Sequence, residues 1–243
     1  MTLYREGVRK ILFIEGDCRE KILELQDNSI DLIITSPPYF NSSHKYQRKK
    51  GYHYTKDIGE PLYTIEDTFE LLIDKAKDSG FYAINLGFSY GETGVLRPFY
   101  IIQRALRFGW FCVDRIIWKK LNPIPINNRL TNAFEDIFIL AKTPHPIYPN
   151  KELGYKHNII ECAVHSGSPT ASFPIELPEF LINVFTTENN LVLDHFAGIG
   201  TTLLACKKLR RNYIGIELNG SYIKHFNKEI KKIKPINKME KYY

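Results

Sequence analysis

The stretch LVLDHFAGIGTTLLACKKLRRNYIGIE, residues 191–217, decides the fold. Leu191 to Phe196 is a β-type run, Ala197 to Thr202 a glycine turn, Leu203 to Leu209 a helix and Tyr213 to Glu217 a second strand. A strand, Gly-x-Gly, a helix, a strand and an acid make a nucleotide-binding arrangement. The glycines admit a ligand close to the backbone, and the acid accepts hydrogen bonds from ribose hydroxyls. Glu217 follows Gly198 by 19 residues, near the spacing of about 20 expected of such a unit. Leu203 stands where a third glycine would let a pyrophosphate pack on the helix start. That departure argues against NAD and for a smaller adenosyl ligand. The competing reading is a structural turn.

The front of the chain repeats the alternation. Lys10 to Asp17 reads as a strand leaving through Gly16-Asp17, Cys18 to Asp27 as a helix and Asp31 to Ser36 as a buried strand. Such a βαβ unit implies a parallel sheet with function at the carboxyl ends of its strands. The second strand stops at Thr35-Ser36-Pro37-Pro38-Tyr39, because consecutive prolines remove two backbone donors. A hydroxyl, fixed carbonyls and an aromatic ring suit a flat polar group; the plainer reading is a Pro-Pro turn.

Further helices are expected over Ile65 to Asp78, Leu96 to Phe108 and Gly220 to Lys232, and further strands over Phe81 to Leu86, Trp110 to Trp118 and Glu135 to Ala141. Pro178 should split Pro174 to Thr187 into two helical pieces. Leu121 to Thr131 is a Pro- and Asn-rich loop. Thr143 to Pro174 is irregular and too long for an ordinary connector, which suggests a recognition insert or a disordered region. Asn41 to Glu60 interleaves Lys45, Arg48, Lys49 and Lys50 with aromatics. It is either a solvated loop or a segment that grips phosphates and stacks on bases. The tail Lys234 to Tyr243 is expected to fray.

A chain of 243 residues with net charge +6 suits one large α/β domain and favours a polyanionic partner. The four scattered cysteines form no Cys-x-x-Cys pair and read as reduced thiols. His157, Cys162 and His165 lack a fourth ligand, so no metal is expected. No apolar run reaches membrane-spanning length and the start lacks a signal-peptide core, so a soluble intracellular, cytoplasmic protein is expected.

Taken together the motifs resemble the beta group of amino-group DNA methyltransferases. Residues 194–202 resemble the family's S-adenosylmethionine motif and 213–217 its next, acidic motif. Gly16-Asp17 resembles the motif whose acid meets the adenine. Ala171 to Pro178 is similar to the segment closing over the methionine end of the cofactor. Trp118-Lys119 and Phe134-Glu135-Asp136 fit later strands. Thr35 to Tyr39 resembles the catalytic motif in the variant most common among N4-cytosine enzymes. The catalytic motif precedes the cofactor motif, which is the group's permuted order.

The resemblance implies a doubly wound, mostly parallel, seven-stranded Rossmann-like α/β sheet in one domain, residues 1–243. S-adenosylmethionine would contact Asp17, Thr35, Ser172, Phe173, Asp194, Phe196, Gly198, Gly200, Thr201, Thr202, Glu217 and Asn219. Ser36, Pro37, Pro38 and Tyr39 would be catalytic, and Lys45, Arg48, Lys49 and Lys50 would bind double-stranded DNA. Recognition is placed in 41–60 and 121–170. A restriction endonuclease and a homodimer are the partners the group admits.

The residues carry their own chemical argument. An exocyclic base amine is a poor nucleophile until acceptors on its N–H bonds draw it towards tetrahedral geometry. Ser36 Oγ and the Pro37 carbonyl are suitable acceptors, and Tyr39 can stack on a flipped base. No cysteine follows proline, which argues against carbon-5 chemistry. Ser36 favours cytosine N4; adenine members of the family usually carry Asp there, so adenine N6 is the nearest rival. Methylation of RNA or of a small molecule, the latter opposed by the Asn41 to Glu60 loop, and a non-catalytic nucleic-acid-binding protein are the remaining readings.

Overall fold

The computed structural model describes residues 11–37, 65–88, 94–150, 157–164 and 173–235. The first half comprises β1 (Ile11–Glu15), α1 (Cys18–Leu23), β2 (Ile30–Thr35), a 3₁₀ turn (Ile65–Thr68), α2 (Phe69–Lys75), β3 (Ala76–Leu86) and α3 (Arg97–Leu106). The second comprises β4 (Phe111–Lys120), β5 (Phe134–Ala141), β6 (Ile159–Cys162), α4 (Glu176–Phe185), β7 (Leu191–Asp194), α5 (Thr201–Lys208), β8 (Asn212–Glu217) and α6 (Gly220–Glu229). The strands form one sheet in the order β1-β8-β7-β2-β3-β5-β4-β6. Only the β3–β5 and β4–β5 pairings are antiparallel, so the sheet is mostly parallel, as expected of a Rossmann-like α/β fold.

Side-chain alternation divides the core between the two faces of this sheet. Leu32, Ile34, Phe81, Ala83, Val192 and Tyr213 pack with Leu177, Phe180, Leu203 and Phe226 of α4, α5 and α6. Ile33, Tyr82, Ile84, Leu193 and Ile214 pack with Ile22, Phe69, Leu72 and Ile101 from α1, α2 and α3. Strand residues of period 2 thus serve two helical layers, the arrangement that lets a parallel sheet bury both faces.

Three expectations need correction. The helix expected over residues 65–78 ends at Lys75, and β3 starts at Ala76, continuing through Gly80. Pro178 does not divide α4, because it sits at the third helical position, where a backbone N–H has no intrahelical acceptor to lose. The stretch from Thr143 is not uniformly irregular. Its residues Ile159–Cys162 form β6, an eighth strand paired with β4. Before it, the Tyr148 ring packs on Phe81 and Phe185 at centroid distances of 5.4 and 5.1 Å.

No helix among the described residues is long and apolar enough to cross a membrane. All four cysteines are free, with only Cys112 exposed.

Candidate active site

The parallel strands β1, β8, β7 and β2 deliver Glu15, Glu217, Asp194 and Thr35 to one sheet edge, where β7 lies between β8 and β2. This brings together two segments far apart in sequence. Asp194 Oδ1 accepts from Thr35 Oγ1 at 3.1 Å and from the Phe196 amide at 3.1 Å. Its Oδ2 accepts from Thr202 Oγ1 at 2.6 Å. Asp194, Thr35 and Thr202 are all buried. Their polar groups therefore tie the β2 end, the glycine turn and the first turn of α5 into one frame. Burial pushes the Asp194 carboxyl up to about 6 against the three hydrogen bonds, with the Glu217 charge adding to the rise.

Glu217 closes the other side of the turn. Its Oε2 accepts from the Gly198 amide and its Oε1 from the Asn219 amide, both at 2.8 Å. Burial raises its pKa while these backbone donors oppose the rise. An ionised carboxylate has about four acceptor positions, and with backbone donors from Gly198, Asn219 and Leu218 Glu217 retains capacity for a further hydroxyl donor. Gly198 has φ 53°, and a Cβ placed there would meet nothing within 4 Å, leaving an open face beside the acid. Gly200 serves packing instead. Its φ is 86°, and an added Cβ would lie 2.5 Å from the Phe226 ring of α6. Thr201 opens α5 and is half-buried, as is Phe196.

The glycine missing from the fingerprint is supplied elsewhere. A Cβ on Gly215 of β8 would approach Leu203 Cδ1 to 2.4 Å. Close contact between α5 and the sheet is thus achieved by removing the side chain from the strand and keeping leucine on the helix.

Asp17 lies next to this edge but is already engaged. It caps α1 by accepting from the Arg19 amide at 2.9 Å and pairs with the Arg19 guanidinium at 2.8 Å, and that pairing holds its carboxyl below the usual range. Phe173 is buried in the core that α4 shares with the sheet. Ser36 is half-buried and Pro37 buried at the β2 exit. Pro38, Tyr39, Lys45, Arg48, Lys49, Lys50 and Ser172 lie outside the described residues.

Sequence reading missed two groups here. Asn85 at the end of β3 donates to Ser36 Oγ at 3.4 Å and to Glu135 Oε2 at 2.7 Å. Glu135 Oε1 in turn pairs with Lys120 Nζ at 2.8 Å. The available signal was a single polar residue inside the apolar run Phe81 to Leu86. His195, read only as part of a strand, is buried with Nε2 at 3.2 Å from Thr68 Oγ1 and 3.4 Å from the Tyr82 hydroxyl. Burial depresses its pKa to about 3, so the ring is neutral.

Among curated proteins, the chain is 30% identical over 226 residues to the type II methyltransferase M.MwoI of Methanothermobacter wolfeii, across 86% of this chain and 32% of that one. It therefore spans about a third of that relative's length. Among solved structures, the M1.HpyAVI–SAM complex aligns with TM-score 0.70 and 27% identity, covering 90% of this chain and 99% of that one. PvuII DNA methyltransferase (cytosine-N4-specific) aligns with TM-score 0.73 at 20% identity, covering 91% and 90%, a likeness of fold. Residues 30–228 match the model of the DNA methylase family that groups N6 and N4 enzymes, and the chain belongs to that family.

Proposed function

We propose that the chain transfers a methyl group from S-adenosylmethionine to the exocyclic N4 amine of a cytosine flipped out of duplex DNA. The observation that carries this is the shared strand edge. The Thr35–Asp194 bond joins the Ser36-Pro37 exit of β2 to the glycine turn that Glu217 holds open. The residues present fit the cofactor: the open face at Gly198 gives room for an adenosyl group, and Glu217 has acceptor capacity left for a ribose hydroxyl. When bound, S-adenosylmethionine supplies an electrophilic methyl group.

The chain's own residues orient and activate the amine. Ser36 Oγ and the Pro37 carbonyl accept hydrogen bonds from its two N–H groups, which restores lone-pair density on nitrogen; the nitrogen gains the methyl group as the donor's S–C bond breaks, and its surplus proton leaves to solvent. Tyr39 stacks on the base, and Phe196 and Phe173 line the cofactor side. Asp194, Thr35 and Thr202 hold the frame. Positioning of two reactants in one site supplies much of the rate.

DNA recognition is assigned to 41–60, which lies outside the described residues, and to 121–170. Strand β4 runs parallel to β3, so the loop at 121–133 emerges at the same edge as Ser36. It presents Leu121, Ile124 and Leu130 to solvent at 59%, 75% and 91% exposure. A restriction endonuclease reading the same DNA sequence would be the functional partner.

Adenine N6 is the second reading, favoured by the family's mixed membership. Duplexes offering only cytosine or only adenine, methylated and digested to nucleosides for mass spectrometry, separate the two. N4-methylcytosine alone is the expected product; N6-methyladenine would overturn the choice of base.

A further inference from the structure

Three side chains from three strands converge beneath Ser36. The antiparallel pairings set Asn85 of β3 opposite Ile137 of β5, and Glu135 of β5 opposite Trp118 of β4. Asn85 is 3% exposed. The side chains of Lys120 and Glu135 are 14% and 13% exposed, so water does little to loosen their pairing. Glu135 commits one oxygen to Lys120 Nζ and the other to Asn85 Nδ2.

This arrangement fixes a direction. A carboxylate only accepts, so the Asn85 amide must face Glu135 with its nitrogen. The second hydrogen on that nitrogen then points to Ser36 Oγ, 3.4 Å away. Were the amide reversed, its oxygen would draw the Ser36 hydroxyl hydrogen to itself and turn the rotor. The Lys120–Glu135 pair therefore determines which atoms the serine meets from below.

We infer that Glu135, through Asn85 and anchored by Lys120, is a positioning residue that sets the Ser36 hydroxyl to receive the target amine. Asn85 holds one side of Oγ through its Nδ2–H. The inference rests on the methyl-transfer reading above, in which Ser36 is an acceptor for the amine.

The test is a double-mutant cycle on the full chain. Glu135→Gln preserves shape but can present either a donor or an acceptor to Asn85, so the direction of the amide is lost. The expected result is a fall in kcat of about 10-fold, with KM for DNA and the calorimetric Kd for S-adenosylmethionine unchanged. In the Ser36→Ala background the same substitution should change single-turnover rate by less than about 2-fold, because the relay has nothing left to position. Independent, multiplying effects in the two backgrounds would overturn the inference.

A second readout does not depend on activity. An Asn85 side-chain amide proton, assigned by its loss in Asn85→Ala, should resonate downfield in the wild type and return to the ordinary amide region in Glu135→Gln. An ordinary shift in the wild type would also overturn the inference. A wild-type chain that transfers no methyl group to DNA would instead sink the methyl-transfer reading, with the amide resonance still reporting on the relay.

Discussion

Asp194 and His195 are adjacent, both buried, and respond to pH in opposite senses. The fold disfavours an ionised Asp194, so between about pH 4 and 6 the folded chain keeps a proton that the unfolded chain has released. Stability at this site therefore falls as pH rises through that window. The gap between the ordinary value of 3.8 and about 6 corresponds to about 3 kcal/mol. His195 does the reverse. Its depressed pKa of about 3 means the unfolded chain gains a proton below about pH 6.5 that the folded chain refuses, so stability falls on acidification. Asp194→Asn should remove the first slope and leave the second. Urea midpoints from pH 4 to 7 should then show the variant gaining on the wild type by up to about 3 kcal/mol as pH rises. A constant difference between the two proteins would show that Asp194 does not titrate as described.

At the same scale, Asp194 and Glu217 were legible because they sit at fixed offsets around the glycine turn. Their division of labour was not. Only the folded geometry shows Asp194 holding other residues while Glu217 keeps acceptor capacity beside an open face. The Asn85, Glu135 and Lys120 relay was illegible, since antiparallel pairing of distant strands assembles it.

Among the elements, α4 shows how the sheet secures its helices. Arg211, just before β8, donates to the Thr186 carbonyl at 2.7 Å, to Thr186 Oγ1 at 3.0 Å and to the Leu209 carbonyl at 2.6 Å. A guanidinium at a helix carboxyl end satisfies carbonyls that the helix cannot and opposes its dipole. Burial lowers the Arg211 pKa, yet three acceptors compensate the buried charge. Arg211→Met should cost about 2–4 kcal/mol by taking the guanidinium donor from the Leu209 carbonyl and Thr186 Oγ1 and leaving the Thr186 carbonyl with Asn150 Nδ2 alone, measurable as a lower urea midpoint at unchanged m-value. A loss below about 0.5 kcal/mol would mean the cap contributes as little as an ordinary surface contact. Periodicity gave α4 its location but misjudged Pro178, whose effect depends on its place in the first turn. Strand β6 escaped notice because four residues without a long alternating run carry no periodic signal.

Across the whole molecule, the site exists because chain order and sheet order differ. β2 comes early and β7 late in the sequence, yet they are neighbours, and their carboxyl ends carry Ser36 and the glycine turn. The parallel βα pattern made this edge predictable from sequence, while the strand order of its antiparallel side did not follow from local pattern. The net charge of +6 favours a polyanionic partner for the molecule as a whole. The most direct measurement is single-turnover transfer of labelled methyl from S-adenosylmethionine to mixed-sequence duplex DNA, with the wild type and Ser36→Ala compared at saturating cofactor. Label should appear on an exocyclic base nitrogen, about 100-fold more slowly in Ser36→Ala with cofactor Kd unchanged. No label in DNA, or an equal rate in the variant, would contradict the account.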